Sequence, residues 1–493
     1  MDYSALVRAQ RAYFQTGATL SVTHRQAALD KLYRAIQSRE SQITDALAAD
    51  LGKSPVESYL CEVGMTLSEL RYIRRRLARW ARPSRRLTPL SQFPASSFTI
   101  SEPYGVTLIL SPWNYPFLLA AGPLIGALAA GNCCIVKPSE HAPASSAVLR
   151  ELLTQCFPPE YVLVAEGGPE VSQALLTEQF DYIFFTGGTQ IGRQVMARAA
   201  EHLTPVTLEL GGKSPCIVDS SAKLDLAARR LVFGKLLNCG QTCVAPDYLL
   251  VQRQIKDELM DRIRHWITVQ YGSNPLDNEG YVHMINRRHF DRVMNLINPA
   301  QVTYGGSGDP QTLKIQPTIL EGVSPDDPVM QEEIFGPLLP VLTFDDPREA
   351  IAFVRSRPRP LALYLFSQNR AVQEQFLRQV SFGGGCINDT IIPSGDQPAA
   401  LRRRGRQRHG RLSRPGQLRH LLPPEEHREK IHPAGPALPV RPLHAPEGVH
   451  DPQILEIVPL FRADSPGYDM GGRPGWRFPV SSPVLMSDMK VRM

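Results

Sequence analysis

"GVTLILSPWNYPFLLAAGPLIGALAAGNCCIVKPSE", residues 105–140, decides the fold. The apolar run GVTLIL ends at a turn bounded by two prolines. A helical pattern follows at about 116–130, and a second apolar run, CCIV, begins at Cys133. This is the spacing of a β-α-β unit, whose strands run parallel. The longest apolar stretch, FLLAAGPLIGALAA from Phe117, is too short to span a bilayer and is interrupted by Gly-Pro, so a buried helix and no membrane span are expected.

The alternation continues outward. A helical pattern near 144–156 follows CCIV. YVLVA then precedes a short helix, YIFF precedes a helix near 190–202, and VTLEL follows that. Strands and helices alternating at this spacing predict an α/β fold with a doubly wound parallel sheet. A second alternating set from Cys216 to about Asn388 predicts another α/β unit. Upstream, amphipathic periods over 23–50 and 57–80 predict two helices. Between them and the first strand lies ARPSRRLTPLSQFPASSFTISEPYG, whose alternating SSFTISEP predicts an extended arm or hairpin. No internal repeat is present.

With 493 residues, 43% hydrophobic and 21% charged, the chain is long enough for two or three globular domains. The N-terminus MDYSALVRAQRAYFQTG lacks an apolar signal core, which predicts a cytoplasmic protein. Its eight cysteines are scattered, so reduced thiols are expected rather than a disulfide framework. The net charge of +6 is unevenly placed. Residues 1–392 hold 38 Lys+Arg and 38 Asp+Glu, whereas 393–493 hold 16 and 10, with 16 of the 43 prolines. A basic run there, LRRRGRQRHGRL, lacks the aromatic interleaving of a nucleic-acid site, and no nucleic-acid partner is expected.

Several residues can carry chemistry. NCGQTCVAPDY places Cys239 and Cys243 four apart, with no nearby His to complete a zinc set, so no metal is expected. The pair is either two buried structural thiols or a nucleophile with a bystander. Glu209 ends the apolar run VTLEL just before two glycines, where a half-desolvated carboxylate can act as a base; it can equally cap a turn. Asn114, in SPWNYP, can donate to an oxyanion or simply serve its turn. Lys137 and Glu140 follow CCIV, at the strand end where open sheets bind ligands, and can hold ribose hydroxyls or merely pair in solvent. Thr186, Gly187, Gly188 and Gly192 form a glycine-rich strand-to-helix turn suited to a pyrophosphate, though not the strict dinucleotide fingerprint. Glu333 and Phe335 lie in QEEIFGP, before another apolar run.

The series PWNYP, VKPSE, FTGGTQIG, LELGGKSP, NCGQTC and EEIFGP, in this order and spacing, resembles the aldehyde dehydrogenase superfamily. The wording CGQTCVAPDY is similar to its class 3 branch of fatty and aromatic aldehyde dehydrogenases. The resemblance covers residues 1–392. It implies a Rossmann-like NAD(P)-binding domain (1–80 and 105–208), an oligomerisation arm (81–104), a catalytic domain (209–392) and a homodimer. It implies oxidation of a small-molecule aldehyde to a carboxylic acid, with Cys243 as nucleophile and Cys239 as bystander. A thiohemiacetal and then a thioester form on Cys243; Asn114 supports the oxyanion, and Glu209 activates the hydrolytic water. Lys137, Glu140, Thr186, Gly187, Gly188, Gly192, Leu210, Gly211, Glu333 and Phe335 match cofactor positions, with NAD preferred because Glu140 would repel a 2′-phosphate, and NADP possible.

The resemblance stops at Ile392. After NDTII the family has a stretch like LPFGGVG.SGMG.YHG, whereas this chain has PSGDQPAALRRRGRQRHGRL. With its codons written as CTT CGG CGG CGT GGG CGG CAG CGG CAT GGG, Leu401–Gly410 becomes FGGVGGSGMG when the first base is dropped. A frameshift therefore accounts for the arginine and proline excess. It predicts a disordered 393–493 tail and a catalytically impaired chain without the segment a dimer needs.

Overall fold

In the computed structural model, residues 2–88, 91 and 95–391 are described, together with three two-residue strands within 401–412. The rest of the predicted out-of-frame tail lies outside the described residues. Helices α1 (Tyr3–Gln15), α2 (Val22–Ser38) and α3 (Glu40–Leu51) open the chain, followed by α4 (Pro55–Ser58), a π-helical turn at Tyr59–Val63 and α5 (Gly64–Trp80). The single helix expected over 23–50 is broken at Arg39: α2 packs on α5, α6 (Leu118–Ala130) and α7 (Pro143–Cys156), while α3 packs chiefly on α7. The helix expected over 57–80 contains the wider π turn, whose purpose is local to the site described below.

Residues Pro83–Ile100 belong to a separate unit, in which β1 (Ser84–Arg86) and β2 (Ser97–Thr99) pair antiparallel, the hairpin expected from SSFTISEP.

The first sheet holds β3 (Val106–Leu110), β4 (Cys133–Lys137), β5 (Val162–Val164), β6 (Tyr182–Gly187) and β7 (Val206–Leu210), all parallel, in the order β7-β6-β3-β4-β5. Taken as five strands in chain order this is 3-2-1-4-5 inverted, the doubly wound pattern, and it reverses direction between β3 and β6. Every residue of β3 and β4 is buried, as expected for parallel strands covered on both faces. Around them lie α6, α7, α8 (Pro169–Leu176) and α9 (Thr189–Glu201). The all-apolar α6 has most of its residues buried, the outcome expected for FLLAAGPLIGALAA. Beyond β7, Arg408–His409 adds a short antiparallel strand in register with Glu209 and Leu208.

The second sheet begins after Leu210. It comprises β8 (Ser214–Val218), β9 (Pro246–Gln252), β10 (Val302–Tyr304), β13 (Thr318–Leu320), β14 (Leu338–Phe344), β15 (Ala362–Phe366) and β16 (Gly384–Ile387), ordered β10-β13-β14-β9-β8-β15-β16. It is parallel except for β10, and a small hairpin of β11 (Gly308–Asp309) and β12 (Lys314–Ile315) stands apart from it. Its helices are α10 (Leu224–Leu236), α11 (Lys256–Tyr271), α12 (Arg287–Met294), α13 (Pro328–Gln331), α14 (Pro347–Ser356) and α15 (Arg370–Gln379). Each sheet has its own apolar core, one around Leu108, Ile135 and Ile183, the other around Ile217, Leu250 and Leu365.

Candidate active site

The turn after β3 and the loop before β9 are hydrogen-bonded to each other. The Asn114 side-chain amide donates to Gln241 O at 2.9 Å, and Asn238 Nδ2 donates to Asn114 O at 2.8 Å. The hydroxyls of Tyr115 and Thr242 lie 2.6 Å apart. Gln241 holds the loop from within: its amide donates to Asn238 O and His283 O, and its oxygen accepts the Ile285 N–H. Asn238 and Cys239 both adopt left-handed backbone (φ 53° and 54°), which costs about 1–2 kcal/mol per non-glycine residue. Gly240 is required next to them, since a Cβ there would meet Gly336 O at 2.3 Å.

This geometry separates the two cysteines. Cys239 is fully buried; its thiol donates to the Tyr281 hydroxyl at 3.5 Å, and burial pushes it up to about 12. Cys243 is half-buried, at the mouth of the loop. Burial and then the negative charge of Glu333 push its thiol up to about 12, while the backbone N–H groups of Cys243 and Val244 act against them. Cys243 therefore rests as a thiol in the absence of ligand.

Glu209 lies at the end of β7, 1% exposed, opposite Thr186 of β6. Two residues on, a Cβ at Gly211 would come within 1.8 Å of the Glu333 carboxylate. Glu333 also accepts the Gly212 N–H, and burial followed by Asp247 pushes its carboxyl up to about 8. Thus VTLELGG, EEIFGP and NCGQTC, far apart in sequence, converge through Glu333. Phe335 has φ 51° and sets its ring edge-on to Trp113 at 5.4 Å, tying its loop to the Asn114 turn. Sequence reasoning passed over several residues here. Trp113 was hidden in SPWNYP beside Asn114. Lys213, in GGKSP, pairs with Asp247 and donates to Val329 O and Glu332 O. Ser111 follows β3 with a buried hydroxyl.

A dinucleotide fits the crevice at the carboxyl ends of β3, β4 and β6. The buried Ser111 and Thr186 hydroxyls and Glu333 Oε1 have no protein partner, which leaves them hydrogen-bonding capacity that suits a polar ligand. Gly188 caps the N-terminus of α9, and a Cβ there would meet nothing within 4 Å, which leaves open space at that helix end. Gly187 and Gly192 are close-packed instead, the first against Phe185 and the second against Leu210. At the end of β4, Lys137 Nζ meets Glu140 Oε2 at 2.7 Å. Burial raises the Glu140 carboxyl, but Lys137 outweighs it and leaves it below the usual range.

Among the described residues no helix is long and apolar enough to cross a membrane.

Comparison with known proteins gives the family of the chain. Residues 1–400 match the aldehyde dehydrogenase family. The chain is 46% identical over 384 residues to the 4,4′-diaponeurosporen-aldehyde dehydrogenase of Staphylococcus aureus, covering 78% of this chain and 84% of that one. It is 44% identical to the Arabidopsis thaliana aldehyde dehydrogenase family 3 member H1 (79% and 82% covered) and 43% identical to the dimeric NADP-preferring aldehyde dehydrogenase of Rattus norvegicus (79% and 86%). A substrate-bound structure of Staphylococcus aureus AldH superimposes with a TM-score of 0.84 at 41% identity, covering 89% of this chain and 97% of that one. The chain belongs to the aldehyde dehydrogenase family, close to its class 3 branch, and is an NAD(P)-dependent oxidoreductase acting on aldehydes.

Proposed function

We propose that Cys243 is the nucleophile, Asn114 and the Cys243 N–H are the oxyanion donors, and Glu209 is the base for deacylation. The observation that carries this reading is the contrast within one loop. Cys243 is half-buried and lies two residues after Gln241, whose carbonyl accepts the Asn114 amide, whereas Cys239 is closed in against Tyr281. Cys243 Sγ adds to the aldehyde carbon as its proton passes to water, giving a thiohemiacetal whose oxyanion the two donors stabilise. NAD(P)+, when bound, supplies the hydride acceptor. Once hydride has left, the acyl group remains on Cys243 as a thioester. Glu209 then takes a proton from the water that attacks the thioester and returns it to the Cys243 sulfur as the C–S bond breaks, releasing the carboxylic acid and the thiol.

Ser111, Lys137, Glu140, Thr186, Gly187, Gly188, Gly192, Leu210, Gly211, Glu333 and Phe335 frame the cofactor in this reading, within a cofactor domain of 1–80 and 105–208 and a catalytic domain of 209–392. The carboxylate of Glu140 at the end of β4 favours NAD over NADP, since a 2′-phosphate would meet like charge. Residues 81–104 are the arm of a homodimer, and loss of the native C-terminal segment through a frameshift would impair it. The test is aldehyde-dependent reduction of NAD+ and NADP+ over a panel of aliphatic and aromatic aldehydes, with Cys243→Ala as control. Turnover that survives Cys243→Ala refutes the assignment.

A further inference from the structure

The nucleophile loop stands on a buried charge cluster that neither sheet supplies. Lys53, Glu57 and Glu62 come from the segment between α3 and α5, and each is 5% exposed or less. Glu57 Oε1 accepts the Asn238 N–H at 2.8 Å, across 181 positions of sequence. Lys53 pairs with Glu62, donates to Asn114 O at 2.9 Å, and sits 4.2 Å from the centre of the Tyr115 ring. Glu62 Oε2 accepts the N–H groups of Phe117 and Leu118 at 2.9 and 3.0 Å, capping the entry to α6. The three side chains thus grip both halves of the site. Glu57 holds the loop that leads to Cys243, and Lys53 with Glu62 holds the turn that carries Asn114.

Two features set this cluster apart from an ordinary buried ion pair. First, Glu57 and Glu62 are five residues apart, a spacing that a regular α-helix turns about 140° away from one face. The π turn at Tyr59–Val63 widens the helix between them, closing with Gly64 N–H on Tyr59 O. A Cβ at Gly64 would come within 2.7 Å of that oxygen, so the turn has its own glycine. The wider turn lets Glu62 pair with Lys53 while Glu57 stays close enough to feel its charge. Secondly, Glu57 binds the first of the two left-handed residues, Asn238 and Cys239. Backbone in that region persists only where its surroundings fix it. Buried charge is a poor source of stability compared with apolar residues of like volume. Burial pushes the Glu57 carboxyl up to about 7 even with Lys53 and the Asn238 N–H opposing it. The cluster's contribution is therefore geometric.

We propose that Lys53, Glu57 and Glu62 are positioning residues for acylation, keeping the Asn114 amide and the Cys243 N–H aimed at one oxyanion. This rests on the roles assigned above to Cys243 and Asn114.

The test compares two reactions of Cys243 in the full chain. Acylation by p-nitrophenyl acetate, followed as the first-turnover burst of p-nitrophenolate, needs thiol and oxyanion donors but no cofactor. Alkylation by iodoacetamide, followed on the Cys243 peptide by mass spectrometry, needs only the thiol. Glu57→Ala is expected to slow acylation by about 10–100-fold, in the range for a mis-set oxyanion donor, with a smaller change in alkylation. Glu57→Gln still presents an oxygen to the Asn238 N–H and should retain acylation within about threefold, a small fraction of that loss. If Glu57→Ala does not fold, Glu57→Asp takes its place, because it keeps the charge but loses the reach. Slow acylation in Asp with near-normal acylation in Gln supports the proposal. Equal losses in both reactions that follow a fall in Tm, or a Gln variant as slow as Ala or Asp, overturn it. A burst that persists in Cys243→Ala refutes the nucleophile assignment instead, so the two failures are distinct.

Discussion

The Asn114 side-chain amide donates to the Gln241 carbonyl at 2.9 Å, joining the turn after β3 to the loop of Cys243. An amide nitrogen carries two N–H groups. One is committed to Gln241, which fixes the plane of the amide and leaves the other for an oxyanion. Asn114→Ala should lower kcat by about 10²-fold while leaving the KM for aldehyde within a few-fold, because the donor acts on charge that develops after binding. Steady-state kinetics decide this, and a loss confined to KM contradicts it.

The two cysteines of the loop should separate by mutation. Cys243→Ala is expected to abolish aldehyde oxidation. Cys239→Ala leaves a small cavity beside Tyr281, lowers stability by about 1 kcal/mol, and keeps most activity. Glu209→Gln should slow deacylation and let a thioester accumulate, visible as an acyl adduct in the intact mass. Comparable activity losses from both cysteine changes contradict the assignment.

The resting thiol gives a pH signature. With Cys243 pushed up to about 12, mainly by burial and then by Glu333, its thiolate fraction is small across the accessible range. That fraction grows about tenfold per pH unit below the thiol's own value. Iodoacetamide labelling of Cys243 in the ligand-free chain should therefore keep rising about tenfold per unit from about pH 7 to 10, whereas an ordinary thiol bends at about pH 8.5 and is nearly level by about pH 10. A bend at about pH 8.5 contradicts the proposed environment.

Glu333 offers a stability test. Its carboxyl is raised to about 8 by burial and then Asp247, against an unfolded value of about 4.3. A carboxyl whose folded value is raised contributes fully below the unfolded value and loses that contribution as pH climbs through the folded one. The window is therefore about pH 4.3 to 8. Glu333→Gln mimics the protonated form at every pH. Its stability relative to the parent should increase by about 1–3 kcal/mol between pH 5 and pH 9, measured by urea unfolding. A difference that stays flat with pH contradicts the shift.

How far the sequence reaches depends on whether a residue's partner is near in the chain. GVTLIL, CCIV, YIFF and VTLEL lie in strands that are mostly buried, so their apolar runs announced the first sheet, and the Gly-Gly after YIFFT announced the start of α9. Cys239 and Cys243 could not be told apart by composition. Their difference lies in Tyr281 and Asn114, each brought in by the fold. Glu57 looked like an ordinary polar position opening an amphipathic helix, and Lys53 fell between the two expected helices, because their partners Asn238 and Asn114 lie far along the chain. The break at Arg39 and the π turn carry no Pro or strong breaker signal. They follow from what α3 and Glu62 must reach.

The final prediction concerns residues 393–493. The family match ends at residue 400, close to where arginine and proline become abundant. Position 408 pairs in register with Glu209 on the edge of β7. In the frame given, that position is arginine; in the one-base-shifted reading FGGVGGSGMG it is glycine. The frame thus decides which residue type stands at the position paired with Glu209. Resequencing the DNA around codon 392 tests the frame directly. A one-base restoration should give a chain that runs as a homodimer in light scattering and oxidises aldehydes at least about tenfold faster than the chain as given. Confirmed DNA in the present frame, with no shift that restores the glycine-rich reading, defeats the proposal. Equal activity and the same oligomeric state in both chains would defeat the claim that the native C-terminus matters to this site.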